Sequence, residues 1–258
     1  MTTPIIEFKN VSMAFGSKVV LDKVSFAVSP GETVAVIGPS GTGKSTVLKL
    51  LIGLLAPDSG DIIIKGHSVI GYTENAWNQL RKSMGMVFQY SALFDFLSVG
   101  ENVAFGLRQH TNKSEEEIQK IVSGLLTSVG LAGAENSYPA ELSGGMKKRV
   151  SLARAIALRP EIIYYDEPTA GLDPIMAGNI SELILQTKHK LGATSILVTH
   201  DMTSAFMAAD RILLLNDGHI IFTGTVEETK ESTNPLVRRF IRGETQIDDI
   251  SKKEGNHE

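Results

Sequence analysis

The sequence contains no cysteine, a single tryptophan and no long apolar run. Without cysteine there is no disulfide framework, no thiolate metal site and no cysteine nucleophile. No segment approaches the ~20 apolar residues of a membrane-spanning helix, and the start "MTTPIIEFKN" lacks the basic-then-apolar order of a secretory signal. We therefore expect a protein that is soluble or that associates peripherally with a membrane-spanning partner.

A strong excess of charge is also missing. The 25 basic and 29 acidic residues give a net charge of −4, which does not predict a nucleic-acid surface. The basic run Lys147, Lys148 and Arg149 is most simply interpreted as a solvated helix face. With 258 residues, 42% of them hydrophobic, the chain is long enough to bury one large core or two small ones.

Short apolar strands alternate with helical patterns along the chain. "IIEFKNVSMAF" and "VVLDKVSFAV" alternate in polarity and predict antiparallel strands near the N-terminus. Later strand patterns, "ETVAVIG", "EIIYYDE", "TSILVTH", "RILLLND" and "HIIFTG", are nearly continuous apolar runs. Such strands, separated by helices such as that predicted over "KSTVLKLLIGLL", indicate a parallel sheet covered on both faces.

From about residue 91 to residue 160 strand patterns disappear. Ser114 followed by Glu117 forms a capping-box signature at the start of one helical pattern in this stretch. We therefore predict a helical insertion in an α/β core. Residues 244–258 are polar, and we expect them to form a mobile tail.

The segment "GPSGTGKST" fits the phosphate-loop pattern G-x-x-x-x-G-K-[ST] and lies between a predicted strand and a predicted helix. Its glycines allow backbone N–H groups to approach phosphate oxygens, and the helix N-terminus adds positive potential. We expect Lys44 to bridge the β- and γ-phosphates and Ser45 to bind Mg²⁺. The predicted nucleotide contacts are Gly38, Pro39, Ser40, Gly41, Thr42, Gly43, Lys44, Ser45 and Thr46.

A second acidic element is "IIYYDEP". Asp166 at the end of a buried strand fits a Mg²⁺-holding carboxylate, and Glu167 could polarise an attacking water. Such a pair often only starts a helix, but beside a phosphate loop it predicts a catalytic site.

Four further pieces follow in a fixed order: Gln89 in "MVFQ", "LSGGM" at 142–146, "AGLD" ending at Asp173, and His200 in "VTHD". Together with the phosphate loop, this series resembles the nucleotide-binding subunit of an ATP-binding cassette (ABC) transporter. The resemblance implies an ATPase using ATP and Mg²⁺, whose residues 1–243 form a RecA-like P-loop NTPase core with an N-terminal antiparallel β-subdomain and an inserted helical subdomain at about 91–160.

The resemblance also implies roles for single residues. Gln89 is expected to contact Mg²⁺ and water and to link the core to the helical subdomain. His200 is expected to contact the γ-phosphate. Phe15 is expected to stack on adenine, with a core aromatic as the alternative.

In such proteins two subunits face head to tail. This arrangement implies a homodimer in which Ser143, Gly144 and Gly145 of one subunit approach the γ-phosphate bound by the other. The resemblance also implies that Asp173 is a nucleotide-binding residue. Met146 stands where most relatives have glutamine, and its thioether cannot donate a hydrogen bond. It is either a subfamily marker or neutral drift.

Several stretches are similar to the ATPases of lipid transporters associated with MCE proteins, which include the bacterial Mla, actinobacterial Mce and chloroplast systems. They are "LSGGM", "QYSALFDFLSVGENVAFGLRQH", "GLDPI" and "NPLVRRFIRG". The similarity implies phospholipid transport at the cytoplasmic face of the inner membrane, with an integral membrane permease and an MCE-type lipid-binding protein and without nucleic acid. The apolar residues Leu93, Phe94, Phe96 and Leu97 either belong to a core or form a groove for the permease.

Three other functions stay open at this point. One is the ATPase of an importer for amino acids or another small solute. Another is a non-transport ABC ATPase acting on DNA or ribosomes, which usually has two cassettes or long arms. The third is a regulatory module without turnover, against which Glu167 and His200 argue.

Overall fold

A computed structural model describes residues 3–242, so the predictions for Gly243 and the tail 244–258 lie outside the described residues. The chain forms two sheets and surrounding helices, as the sequence predicts. The strands are β1 Ile6–Phe15, β2 Lys18–Val28, β3 Thr33–Ile37, β4 Ser59–Ile64, β5 His67–Ser68, β6 Met84–Val87, β7 Ile162–Asp166, β8 Thr194–Val198, β9 Arg211–Asn216 and β10 His219–Thr225. The helices are α1 Lys44–Leu51, α2 Glu74–Arg81, α3 Val99–His110, α4 Glu115–Ser128, α5 Gly144–Ile156, α6 Pro174–Leu191, α7 Met202–Ala208, α8 Val226–Lys230 and α9 Pro235–Arg242.

The first sheet is antiparallel, with strand order β2-β1-β4-β5. Alternate residues of β1 are buried, and Phe8 stacks on Phe26 of β2 with ring centroids 4.6 Å apart. The alternation predicted from the N-terminal sequence is therefore the alternation between a buried and a solvated face. This confirms the antiparallel subdomain.

The second sheet has the order β10-β9-β3-β8-β7-β6, and its strands are parallel from β9 to β6. Along β3, Val34 and Val36 belong to one core cluster, whereas Ala35 and Ile37 belong to the other. Both faces are thus covered, which explains the continuous apolar strands. The edge strand β10 departs from the pattern, because it returns antiparallel to β9 after a short turn.

Within residues 91–160 the structure has α3, α4, α5 and a short 3₁₀ helix, Pro139–Glu141, and no strand. Ser114 and Glu117 form the predicted capping box at the start of α4, which confirms that prediction. None of the helices in residues 3–242 has the length and apolar character that crossing a membrane requires.

Two local predictions need correction. Helix α1 ends at Leu51 rather than continuing through Leu55, because Gly53 takes a left-handed conformation with φ 72° that breaks the helix. Sequence reasoning also missed α2, although Thr73 accepts a hydrogen bond from the Ala76 N–H at its start, a signal that the polar sequence did carry.

Candidate active site

The predicted site residues meet at one edge of the parallel sheet. In this sheet Val36 of β3 lies opposite Val198 of β8, and Val198 lies opposite Asp166 of β7. The phosphate loop, Glu167 and His200 follow these strands directly or within two residues. Gln89 follows β6, the neighbour of β7, in the same way. Parallel strands therefore deliver all four segments to their common carboxyl edge, where α/β proteins bind ligands.

The phosphate loop wraps around the side chain of Lys44. Its ammonium donates hydrogen bonds to the carbonyl oxygens of Gly38 at 2.8 Å and Pro39 at 2.9 Å. Burial lowers the pKa of Lys44, while the carboxylates of Glu167 and Asp166 act in the opposite direction. A Cβ at Gly38 would overlap the carbonyl oxygen of Leu215, so only glycine fits there. The loop is thus held in a compact cradle beside its own cation.

The hairpin of β1 and β2 lies beside this loop. Val20 of β2 is the nearest neighbour of Gly43, where an added Cβ would lie 2.7 Å from the Val20 side chain. Phe15 lies at the end of β1, and half of its surface (50%) is exposed. The alternative that Phe15 is a core aromatic is therefore wrong, and an exposed ring remains for a planar ligand to stack on.

Ser45 and Asp166 bring two oxygen donors together. The Ser45 hydroxyl donates to Asp166 Oδ1 at 3.3 Å. Burial raises the pKa of Asp166, and the hydrogen bond from Ser45 opposes that rise. A hydroxyl and a carboxylate beside a phosphate cradle are the hard oxygen ligands that Mg²⁺ prefers. These residues fit the predicted metal.

Glu167 and His200 form a second close pair. Glu167 Oε2 lies 2.8 Å from His200 Nδ1 and also accepts the His200 backbone N–H at 3.3 Å. The Glu167 side chain is nearly buried, whereas that of His200 is 62% exposed. Glu167 itself has φ 46°, a left-handed conformation that is rare for a non-glycine residue. A residue with a strained backbone, whose carboxylate is oriented by a histidine, is typical of a functional position.

The start of α5 is the predicted signature segment. Ser143 caps this helix by accepting the Met146 N–H at 3.3 Å, and both Ser143 and Gly144 are exposed. A Cβ at Gly145 would overlap the terminal methyl of Met176. The Met146 side chain packs against the larger core cluster. Its thioether therefore has a packing role, which neither of the two sequence interpretations included.

Asp173 occupies the same side of the molecule as the signature segment. Its carboxylate caps α6 by accepting the N–H groups of Ile175 and Met176, each at 3.0 Å. Leu172, just before it, is the neighbour of Gly144. The hydrogen bonds of Ser143 and Asp173 go to their own helices, so these two residues are not joined to the phosphate loop of the same chain.

The interpretation of the basic run as a solvated face is wrong. Lys148 is 5% exposed, and its ammonium donates to the main-chain oxygens of Gln89 and Glu167. Arg149 donates to the carbonyl oxygen of Val129 at 3.2 Å. Their partners are distant in sequence, so no local signal could have revealed these contacts.

Some apolar residues after Gln89 belong to the core, and others are exposed as a permease groove would require. Leu93 packs against the core, but Phe96 is 77% exposed. The fully buried Asn102 fixes the segment, accepting the Phe94 N–H at 2.8 Å and donating to the Phe94 and Leu97 carbonyl oxygens at 3.1 Å each. Exposed aromatic rings on a rigidly held loop are suited to a protein contact.

A family profile described as "ABC transporter" matches residues 21–170, from β2 through the signature helix to the loop after β7. The chain belongs to the ABC transporter family. It is an ATP-binding, ATP-hydrolysing subunit, since the family and its cassettes share this activity. This activity argues against the no-turnover hypothesis.

Individual relatives extend the match beyond that profile. The ATP-binding protein MlaF of the intermembrane phospholipid transport system of Haemophilus influenzae is 42% identical, covering 95% of this chain and 93% of its own. A protein of Mycobacterium leprae named a probable ribonucleotide transport ATP-binding protein, mkl, is also 42% identical, covering 92% of this chain and 69% of its own.

Solved ABC cassettes have the same fold. A dimeric bacterial ABC transporter cassette superposes with a TM-score of 0.80 at 32% sequence identity, covering 86% of this chain and 98% of that one. The RecA-like core with its antiparallel sheet and helical insertion is therefore the ABC ATPase architecture.

Proposed function

We propose that this ABC ATPase supplies the energy for phospholipid transport. The observation that carries the proposal is the 42% identity, over 95% of this chain, to an ATP-binding protein of an intermembrane phospholipid transport system. Because the match is nearly full length, it includes the segment after Gln89 and α9 as well as the nucleotide site.

In this proposal each site residue acts on ATP bound at the sheet edge. The backbone of residues 38–46 surrounds the phosphates, and Lys44 neutralises charge on the β- and γ-oxygens. Ser45, Asp166 and the Gln89 side chain would hold Mg²⁺, which neutralises charge on the phosphate oxygens when bound. Phe15 stacks on the adenine.

Glu167 is the general base for the attacking water in this mechanism. As the water oxygen bonds to the γ-phosphorus, its proton passes to Glu167, and the bond between the β,γ-bridging oxygen and the γ-phosphorus breaks. His200 holds Glu167 at 2.8 Å, and its largely exposed ring can also contact the γ-phosphate. The left-handed backbone of Glu167 fixes where the carboxylate points.

The proposed working form is a head-to-tail homodimer. The signature residues Ser143, Gly144 and Gly145, together with Asp173, complete the site of the partner subunit. Two observations support this: Ser143 and Gly144 are exposed at a helix N-terminus, which favours phosphate binding, and a similar cassette is dimeric. The Ser143 cap uses the backbone N–H of Met146, so this cap does not call on the side chain at position 146.

The proposed partners are an integral membrane permease and an MCE-type lipid-binding protein, with this subunit on the cytoplasmic face of the inner membrane. The proposed permease surface is the aromatic segment around Phe96, whose backbone is fixed by hydrogen bonds from the Asn102 side chain. Tyr90 is 86% exposed beside it. Since this surface follows Gln89 directly, a permease contact could act on the nucleotide site through the chain itself.

A second candidate is the ATPase of a small-solute importer. The specific observation in its favour is the mycobacterial relative, whose name refers to ribonucleotide transport at the same 42% identity. The two candidates share the catalytic site and differ only in cargo, so the deciding measurement concerns the transported molecule.

The test is a lipid analysis of the tagged full-length chain purified with its membrane partners in a mild detergent. We expect phospholipid to co-purify in fixed proportion to the complex. We also expect the ATPase activity to rise when phospholipid vesicles are added. Activity that responds to amino acids or ribonucleotides and not to phospholipid would replace the lipid proposal with the second candidate.

The permease surface has its own test. Phe96→Asp should release the subunit from the membrane complex while the isolated chain keeps its ATP binding, because a charge at a desolvated apolar contact is costly. Ile70→Asp, another exposed apolar position that follows β5, is the matched control and should leave the complex intact. Equal retention of both variants would remove Phe96 from the contact.

A further inference from the structure

Lys148 is a buried cation that the mechanism above does not use. It lies on α5, about one turn after Ser143, and only 5% of its surface is exposed. Its ammonium donates to two main-chain carbonyl oxygens, those of Gln89 and Glu167, the second at 3.3 Å. One side chain thus joins the signature helix to the segments that follow β6 and β7.

An ammonium group is a costly choice for a buried position. Burial lowers the pKa of Lys148, while the carboxylates of Glu167 and Asp166 act in the opposite direction. Filling space alone would be better served by an apolar side chain of the same length, because a buried charge must recover its lost hydration. What the ammonium adds is a pair of charge-assisted hydrogen bonds to carbonyl oxygens.

The Glu167 backbone needs such a hold. Its φ of 46° is a left-handed conformation, which is strained for a non-glycine residue and persists only where the surroundings fix it. The Glu167 N–H donates to the Val198 carbonyl oxygen at 2.9 Å, and its carbonyl oxygen accepts from Lys148. The same carbonyl oxygen also accepts the Ala170 N–H at 3.1 Å, so Lys148 provides one of three hydrogen bonds to the Glu167 main chain, and it is the one that comes from the signature helix.

We propose that Lys148 is a positioning residue for ATP hydrolysis. It holds the Glu167 backbone and the Gln89 turn at fixed places relative to the signature helix, so that the carboxylate points at the attacking water. Because Ser143 begins the same helix, closure of the partner subunit onto Ser143 also acts on these two hydrogen bonds. The inference rests on the proposed function, in which Glu167 is the base.

The test compares three variants of the full-length chain by kcat, by KM for ATP and by thermal melting. Lys148→Met keeps the length and removes the hydrogen bonds, and we expect kcat to fall about 10- to 100-fold, as a misplaced catalytic group does. KM should stay within about threefold, since the phosphate loop is untouched. Lys148→Arg, which can donate to both carbonyl oxygens, should recover most of the lost kcat.

Lys147→Met is the matched control on the same helix. Its ammonium makes no hydrogen bond within residues 3–242, so kcat should stay within about twofold of wild type. If Lys148→Met also stays within twofold, or if Lys148→Met and Lys147→Met lose the same amount, the inference is wrong. If Lys148→Met does not fold, Lys148→Gln takes its place with the same limits on kcat, because its shorter amide cannot span both carbonyl oxygens.

Glu167→Gln measured in the same series separates this inference from the function on which it rests. Wild-type turnover of Glu167→Gln would remove Glu167 as the base and so overturn the proposed mechanism. Stalled turnover of Glu167→Gln, together with unchanged kcat in Lys148→Met, would overturn only the positioning role of Lys148.

Discussion

The phosphate loop and the signature segment are both glycine-rich helix starts, yet they are built differently. The phosphate loop is tied to the rest of its site, through Lys44 to its own carbonyl oxygens and through Ser45 to Asp166 on β7. Ser143, by contrast, is exposed and bonds only to the start of its own helix. One helix start is completed within the chain, whereas the other leaves Ser143 and Gly144 exposed. A site shared between two subunits requires that difference.

The largest effect is expected from a change in the phosphate loop, the helix start that is completed within the chain. Lys44→Ala should lower ATP turnover by at least about 1,000-fold, because the phosphate cradle loses its cationic side chain. ATP binding by the isolated chain, measured with a fluorescent analogue, should weaken as well. Turnover near the wild-type rate would contradict the assignment of residues 38–46 as the phosphate site.

Glu167→Gln separates ATP binding from ATP hydrolysis at the site that contains the phosphate loop. The amide cannot accept the proton, so turnover should fall about 100- to 10,000-fold while ATP binding remains. Bound ATP should then hold two subunits together, which light scattering on a sizing column would detect. A variant that stays monomeric with ATP and hydrolyses it normally would remove Glu167 from its role.

Ser143→Arg tests the exposed helix start in the signature segment. A bulky charged side chain at the exposed helix start should prevent the partner subunit from closing, and turnover should fall about 100-fold. ATP binding by the isolated chain should be unchanged, because the phosphate loop is intact. In the Glu167→Gln background, Ser143→Arg should abolish the ATP-dependent dimer.

The control for that variant is Ser143→Ala, which removes the helix cap without adding bulk. It should cost about 1 kcal/mol of stability and keep far more turnover than Ser143→Arg. Equal losses in the two variants would mean that the helix cap, rather than contact with a partner, explains the effect.

Met146→Gln should have the smallest effect on ATP turnover, and it tests whether the signature segment needs a particular side chain at position 146. The Ser143 cap and the backbone N–H groups do not depend on the side chain of residue 146, so turnover should stay within about tenfold, or ~1.4 kcal/mol in the barrier. The polar amide replaces a thioether packed on the core, so the melting temperature should fall, with Met146→Leu as the control that keeps it. A larger loss of turnover would give the methionine a catalytic role.

Much of this architecture could be predicted because its signals are local. Ser114 and Glu117 are three residues apart and form their capping box without help from the rest of the chain. The alternating pattern of β1 and the continuous pattern of β3 follow from one covered face and two covered faces, respectively. The phosphate loop is a contiguous motif. Each of these is a short-range relation, which a sequence displays directly.

The failure at Lys148 involves partners that are far away along the chain, whereas that at α1 is local. Lys148 belongs to a run that reads as solvated, but its carbonyl partners are 59 and 19 residues away. The predicted helix α1 is too long because a run of apolar residues continues past the glycine that ends it. For Phe15 the sequence predicted stacking on adenine with a core position as the alternative, and the structure was needed to reject the core position.

The sequence by itself determined the elements and the chemistry they carry: a phosphate loop between strand and helix, an Asp–Glu pair ending a strand, and a capped helix at "LSGGM". Only the tertiary structure decided which of these chemistries meet. The parallel register sets Val36, Val198 and Asp166 side by side, so loops scattered from residue 38 to residue 200 converge on one edge. The physical reason is that register and burial depend on packing between distant segments, and this packing turned a basic surface run into a buried contact at Lys148.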